Sequence, residues 1–354
     1  MLLEPIIYNY IISWFKYWVS LFFILITIKL AGQPLLTEIQ QFNFSNINIV
    51  PSDKLDSNKL MFLSGEYHGL ASNRIVEYSF ISNLVLLQNV RTILFEGSIS
   101  DEYLINNYIE KNDTAYLNLF LSEYPYNFYE EKEFWIRIHN LNSTLPDENK
   151  IYFRSIDIYE NDDTKYVKKL FYLAIKNEVA NDSLSNKLNR YINDTTINYT
   201  LILQLFKQFQ MEIDYNKTII DLINSFSFWE RNKANLNKNR HFYLYQNILK
   251  RKDLYYGNIY ANFGYGHIDI GQKSTAYYLK NDTSFKHKII VFYPYYYNCT
   301  NLPWIPIKKS MGYNKMYLKR IVKKSKVENG VYFHERKGKN YIIHVGQKGM
   351  HELE

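Results

Sequence analysis

The chain has 354 residues and is 47% hydrophobic and 17% aromatic, which is enough apolar surface to bury the core of one large domain or two smaller ones and excludes a disordered chain. Its formal net charge of +7 is scattered, with Lys and Arg interleaved among Asn, Tyr and acids, so no nucleic-acid partner is expected; only Lys308 to Lys326 is locally basic, read as a solvated face with a phosphate or membrane-surface contact as the alternative. The single cysteine, Cys299, excludes an intramolecular disulfide and any multi-cysteine zinc site.

After Lys16 comes an apolar run, "YWVSLFFILITIKLAGQPL", with a core of about a dozen residues, broken by Lys29 and closed by "LAGQ". Residues 1–32 therefore read as a signal peptide or N-terminal membrane anchor, with cleavage near Gly32–Gln33. The expected location is extracytoplasmic, periplasmic or secreted, with membrane association through the N-terminus as the anchored alternative. The core of the run is shorter than the roughly 20 residues of a comfortable transmembrane helix, although a longer reading from Ile11 would span.

Residues 33–354 read as a single α/β domain. Five apolar runs have the form of short, largely buried strands: Leu60–Gly65, Thr92–Gly97, Ile151–Asp157, Asn258–Gly264 and His287–Pro294. Between the first two, Ile75, Tyr78, Ile81, Leu84 and Val85 recur at helical spacing, and helices are expected again over Asp101–Glu110 and Glu130–Leu141. This order predicts a mostly parallel central sheet flanked by helices. From about 164 to 252 only helical patterns appear, so a helical insertion or cap is expected near the carboxyl ends of the strands. "GVYFHERKGKNYIIHVG" predicts a C-terminal β-hairpin.

The chemistry-bearing residues fall at strand ends. In "LMFLSGEYHGL", Glu66 and His68 occupy the loop after the first strand, between Gly65 and Gly69. Glu96 follows the second strand in "FEG", Asp157 ends the third in "SID", and His267 follows the fourth in "NFGYGHID". If the first and second strands are neighbours, Glu66, His68 and Glu96 converge on the edge where α/β folds place ligands. "FWERNKAN" adds Arg231 and Asn235 at i and i+4 of a helix. Tyr67 and Tyr265 flank the two histidines and, with Asp157 and Asn235, are candidates to bind substrate. His241, His287, His334, His344 and His351 have no partner spacing and read as ordinary surface or strand residues. The tyrosines of "FYPYYYN", Phe292 to Asn298, read as core and rim packing, with an aromatic ligand surface as the alternative.

Six segments in order, "GEYHG", "FEG", "FWIRIHN", "SID", "FWERNKAN" and "GYGHI", resemble the erythromycin esterase family over Leu60 to Tyr293. The resemblance implies an α/β core with a helical cap and hydrolytic opening of a macrolide lactone. It matches Glu66 and His68 to the family's first Glu/His motif, Glu96 to its second acid, Arg231 to the cap arginine and His267 to the later histidine motif. Two departures stand out. One residue separates Glu66 from His68 where the family commonly has two, and Gly264 stands where the family usually has a second histidine. The shorter spacing is also similar to haem-binding lipoproteins and Tiki-type metalloproteases of the wider superfamily.

Hydrolysis of an ester or lactone needs a water deprotonated near neutral pH, and imidazole, with an unperturbed pKa of about 6.5, suits that task. His68 is the expected base, with Glu66 or Glu96 on its other nitrogen and His267 or Arg231 facing the oxyanion. No G-x-S-x-G elbow is present, which argues against a serine nucleophile. No cofactor is expected in this reading. The same His68, His267, Glu66 and Glu96 are the ligand set of an alternative metal-dependent hydrolase, since imidazole and carboxylate suit zinc, iron or manganese. A haem- or ligand-binding module without catalysis is the other alternative.

Overall fold

The computed structural model describes residues 40–41, 60–68, 70, 72–123, 129–157, 186, 190, 239–270, 273–286, 288–297, 299, 310–312, 315–325, 330–336 and 339–345. The N-terminal apolar run, Gly69, Arg231, Asn235, His287, His351 and most of the expected helical insertion lie outside these residues. Among the described residues no helix is long and apolar enough to cross a membrane.

The five expected strands are all present: β2 (Met61–Glu66), β3 (Val90–Phe95), β4 (Tyr152–Ser155), β5 (Asn258–Gly264) and β6 (Ile289–Tyr297). A two-residue pairing, β1 (Gln40–Gln41), precedes them. After them come β7 (Ser310–Gly312) and the hairpin β8 (Gly330–Arg336) and β9 (Lys339–Val345). They join in one nine-stranded sheet of order β1-β8-β9-β6-β2-β5-β3-β4, with β7 pairing onto β6. From β9 to β4 every pairing is parallel, while β1, β7 and β8 pair antiparallel. The hairpin thus extends the main sheet rather than standing apart.

Strands without alternation need cover on both faces, and the helices supply it. On one face pack α1 (Ser72–Gln88), α2 (Ile99–Lys111), α3 (Thr114–Glu123) and α4 (Tyr129–Thr144). Phe80, Leu84, Ile105, Phe120 and Trp135 meet Phe62, Ile93, Phe153 and Tyr260 there. On the other face, α5 (described over 239–250), α6 (Thr275–Asn281) and α7 (Lys315–Ser325) bring Leu244, Ile248, Leu279, Leu318 and Ile321 onto Leu63, Ala261, Phe263 and Tyr293. The tyrosines of β6 are core residues: Tyr293, Tyr295 and Tyr297 belong to this second face.

Two details differ from the sequence reading. The core stripe of α1 runs through Val76, Phe80, Ile81, Leu84 and Val85, whereas Ile75 is 40% exposed, because the helix is rotated so that Glu77 is also turned inward. More consequential for function, β2 and β3 are not neighbours. β5 lies between them, pairing parallel with β2 from Met61↔Ile259 to Glu66↔Gly264 and with β3 at Phe95↔Asn262.

Candidate functional site

Because β5 separates β2 from β3, three adjacent strand ends meet at the carboxyl edge of the sheet. β2 delivers Glu66 and His68, β5 delivers His267 through the short turn Tyr265–His267, and β3 delivers Glu96. The α2 helix starts just beyond Glu96. Ser98 caps it, accepting from Asp101 N at 3.2 Å while Asp101 Oδ2 accepts from Ser98 N at 2.9 Å, and this box fixes the exit of the β3 turn.

His68 is the exposed member, with its side chain 48% accessible. Its Nδ1–H donates to Glu66 Oε1 at 3.0 Å, and its Nε2 faces Glu96 Oε2 at 3.8 Å. The other oxygen of Glu66 accepts from Asn262 Nδ2 at 2.8 Å; Asn262 Oδ1 accepts from Ser64 Oγ, which sits 2.7 Å from Tyr260 Oη. A hydrogen-bonded chain therefore runs from the sheet interior to the imidazole. Arg74 of α1 lies beneath it, bonded to the buried carboxylates Glu77 and Glu131 and close enough to act on Glu66.

Glu96 sits between two histidines. Gly264 N donates to its Oε1 at 2.8 Å, and His267 Nε2 is 3.4 Å from the same oxygen. On its far side His267 meets a residue that the sequence reading treated as ordinary: His241 of α5, Nδ1 to Nδ1 at 2.8 Å. One of these two nitrogens carries the proton and the other accepts it. If His241 is the donor, His267 holds its proton on Nε2, facing Glu96. The neighbouring Arg240 donates from Nη2 to Asp157 Oδ2 at 2.7 Å. Asp157 thus joins the site through an arginine from α5. Arg240 and His241 were missed because they lie outside the motifs, in "NKNRHFYLYQN", and their approach depends on how α5 packs. Tyr67 and Tyr265 lie ring against ring, with centroids 4.5 Å apart, and Tyr67 meets Tyr296 edge-on at 6.1 Å.

The electrostatics follow from burial and partners. Burial opposes ionisation of Glu66, but the hydrogen bond from His68, the Arg74 charge and the Asn262 amide outweigh it and hold its carboxyl below the usual range. The hydrogen bond to Glu66 raises the His68 imidazole above its ordinary value against the opposing effect of burial. Burial, reinforced by the Asp157 charge, pushes Glu96 up to about 7, despite His68, Arg240 and the Gly264 N–H. Burial, then the His241, Arg240 and His68 charges, drive His267 down to about 3. At neutral pH the site holds an ionised Glu66, a neutral His267 and a Glu96 near its midpoint.

The two departures from the erythromycin esterase pattern adjoin in space. A Cβ built on Gly264 would lie 2.7 Å from His68 Nε2 and 3.5 Å from Glu96 Oε2, so the His68 ring fills the space that a side chain at position 264 would need. The His68 ring thus lies against β5, and the glycine at 264 leaves room for it. His241 then supplies a second imidazole next to His267 from the opposite side. As for metal, among the described residues no group of three or more His, Cys, Asp or Glu converges with the geometry of a metal site.

No protein-family model matches the chain, and no curated protein matches it. Among solved structures, a Bacillus cereus protein superposes with a TM-score of 0.53 at 12% identity, over 85% of this chain and 84% of that one. A succinoglycan biosynthesis protein superposes with a TM-score of 0.51 at 13% identity, again over 85% and 84%. A histidine-to-asparagine mutant of the erythromycin esterase EreC, in its open conformation, covers 91% of this chain and 98% of its own, with a TM-score of 0.52 at 11% identity. At identities this low the likeness is one of architecture, and on it the chain has an erythromycin esterase-like α/β fold.

Proposed function

We propose that the chain is an exported hydrolase that opens a small-molecule ester or lactone, with His68 as the general base that activates water. The observation that carries this reading is the clamped imidazole: Nδ1 donates to an ionised Glu66 at 3.0 Å while Nε2 points at Glu96 across 3.8 Å. That gap is too long for a hydrogen bond and suits a water bridging the two groups. In the reaction Nε2 takes the proton of this water, and Glu66 stabilises the imidazolium that forms. Glu96 positions the water from the other side. The oxyanion is met by the Arg240 guanidinium or by the Nε2–H of His267, each a preorganised donor worth about 3–4 kcal/mol. The chemistry so drawn uses no cofactor. The expected insertion at about 164–252, with Arg231 and Asn235, would form part of the substrate pocket of a single domain.

Turnover of an ester and lactone panel, with metal analysis alongside, tests the proposal. His68→Ala should lower kcat by about 10²–10⁴-fold with substrate affinity and fold retained. Activity should rise with pH through a pKa above the ordinary imidazole value, because the base must be neutral and Glu66 raises His68. In Glu66→Gln that limb should move to lower pH. Chelator-sensitive turnover restored by one divalent ion would replace the mechanism by a metal-dependent one, and stoichiometric haem without turnover would replace the enzyme by a binding module.

A further inference from the structure

The charge of this chain is segregated. Between Thr283 and Val327 there are ten Lys and Arg and no Asp or Glu, so this stretch carries +10 while the rest of the chain carries −3. Five of these ten residues belong to α7. Its inner face is spent on the core, with Leu318 and Ile321 fully buried and Val322 at 4% exposure. Its outer face carries Met316, 89% exposed, with Arg320 and Lys323 also exposed and Lys319 half-buried beside them. Met316, Arg320 and Lys323 recur at i, i+4 and i+7, which places them along one side of the helix.

We infer that this face of α7 docks on an anionic lipid bilayer. Three observations favour a bilayer. The basic residues stand beside an exposed apolar side chain, Met316, which a bilayer interface takes up and phosphates alone do not. The face has one sign of charge, complementary to an anionic leaflet. The first described strand lies close to this helix: Gln40 of β1 pairs with Phe333 of β8, next to His334, whose Nε2 lies 3.4 Å from Tyr317 Oη of α7. Leu30, where the apolar N-terminal run closes, precedes Gln40 by ten residues, a reach of at most about 35 Å. The chain length thus keeps the end of the apolar run within that reach of the strand pair on which the basic helix packs, and stable attachment generally takes two such signals. In the exported form that begins near Gln33, α7 acts alone and the attachment is reversible.

Flotation with vesicles of pure phosphatidylcholine and of phosphatidylcholine with 30% phosphatidylglycerol tests the inference, with the chain from Met1 and the chain from Gln33. Binding should be stronger to anionic vesicles and should weaken with added salt. The substitutions Lys319→Gln, Arg320→Gln and Lys323→Gln together should cut the partition of the Gln33 chain onto anionic vesicles on the order of 100-fold, at about fivefold per charge, while its melting curve stays unchanged. Equal binding of wild type and triple variant, equal binding to neutral and anionic vesicles, or binding to heparin without binding to vesicles would each overturn it. None of these outcomes depends on hydrolytic activity.

Discussion

Two carboxylates at the same edge of the sheet, Glu102 and Glu96, have opposite surroundings. Glu102, in α2, is closed on every side: it accepts from Arg154 Nη1 at 2.9 Å, from Arg251 Nη1 and Nη2 at 2.7 and 2.9 Å, and from Ser155 N at 2.7 Å. Arg251 continues to the Ser155 carbonyl at 2.6 Å, so one acid locks α2, the end of β4 and the end of α5 together. Glu96 has a single backbone N–H at hydrogen-bond distance and two histidines at 3.4 and 3.8 Å. Closed geometry with arginine holds a structure, whereas slack geometry with imidazoles leaves room for a reactant and groups that change charge near neutrality.

The largest expected contrast is in stability. Glu102→Ala leaves two guanidinium groups beside each other without their shared carboxylate, and should lower unfolding free energy by about 3–5 kcal/mol. Denaturant unfolding checks this. A loss below 1 kcal/mol would remove the distinction between the two acids.

Glu96→Gln should behave in the opposite sense. The folded-state pKa of Glu96 is raised to about 7, chiefly by burial, so the folded protein binds a proton that the unfolded chain releases near 4.5. Wild-type stability therefore falls as pH rises from about 4.5 through 7, by up to roughly 3 kcal/mol from this group. The amide variant should lack that component and gain on wild type at pH 8 while differing little below pH 4. Thermal melts across pH measure the difference, and an unchanged slope would contradict the assignment.

Gly264→Ala sharpens the comparison with the smallest effect on the fold. The added methyl meets the tip of the His68 ring, a flexible and half-exposed side chain, so the stability cost should be below about 1 kcal/mol. Displacement of Nε2 from Glu96 should nevertheless lower turnover, on the order of 10²-fold. Equal losses of stability and activity would mean that His68 is a structural residue.

The fold was legible wherever a segment's own pattern decided its state. Asn258–Gly264 forms a strand over the bounds read from the sequence, and Ser72–Gln88 forms the expected helix. The positions of Glu66, Glu96 and His267 at strand ends follow from the same local signals, since a short apolar run ending in a glycine turn exposes whatever polar residue comes next. α3 was missed because "TAYLNLFLSE" is too short and evenly apolar to declare a period. The rotation of α1 that buries Glu77 and exposes Ile75 depends on Arg74 and Glu131, a partner 57 residues away.

Strand order was decided only in three dimensions. Nothing in the runs themselves says that β5, some 160 residues after β3, inserts between β2 and β3, because neighbours in a parallel sheet are chosen by how the crossover helices pack on both faces. That insertion aligns Glu66, His267 and Glu96 side by side, sets Gly264 under the His68 ring and brings Arg240 and His241 over the edge. The sequence by itself determined which residue types stand at the ends of the strands. The tertiary structure determined which of them touch, since contact between residues far apart in the chain depends on the packing of whole elements and leaves no local periodicity to read.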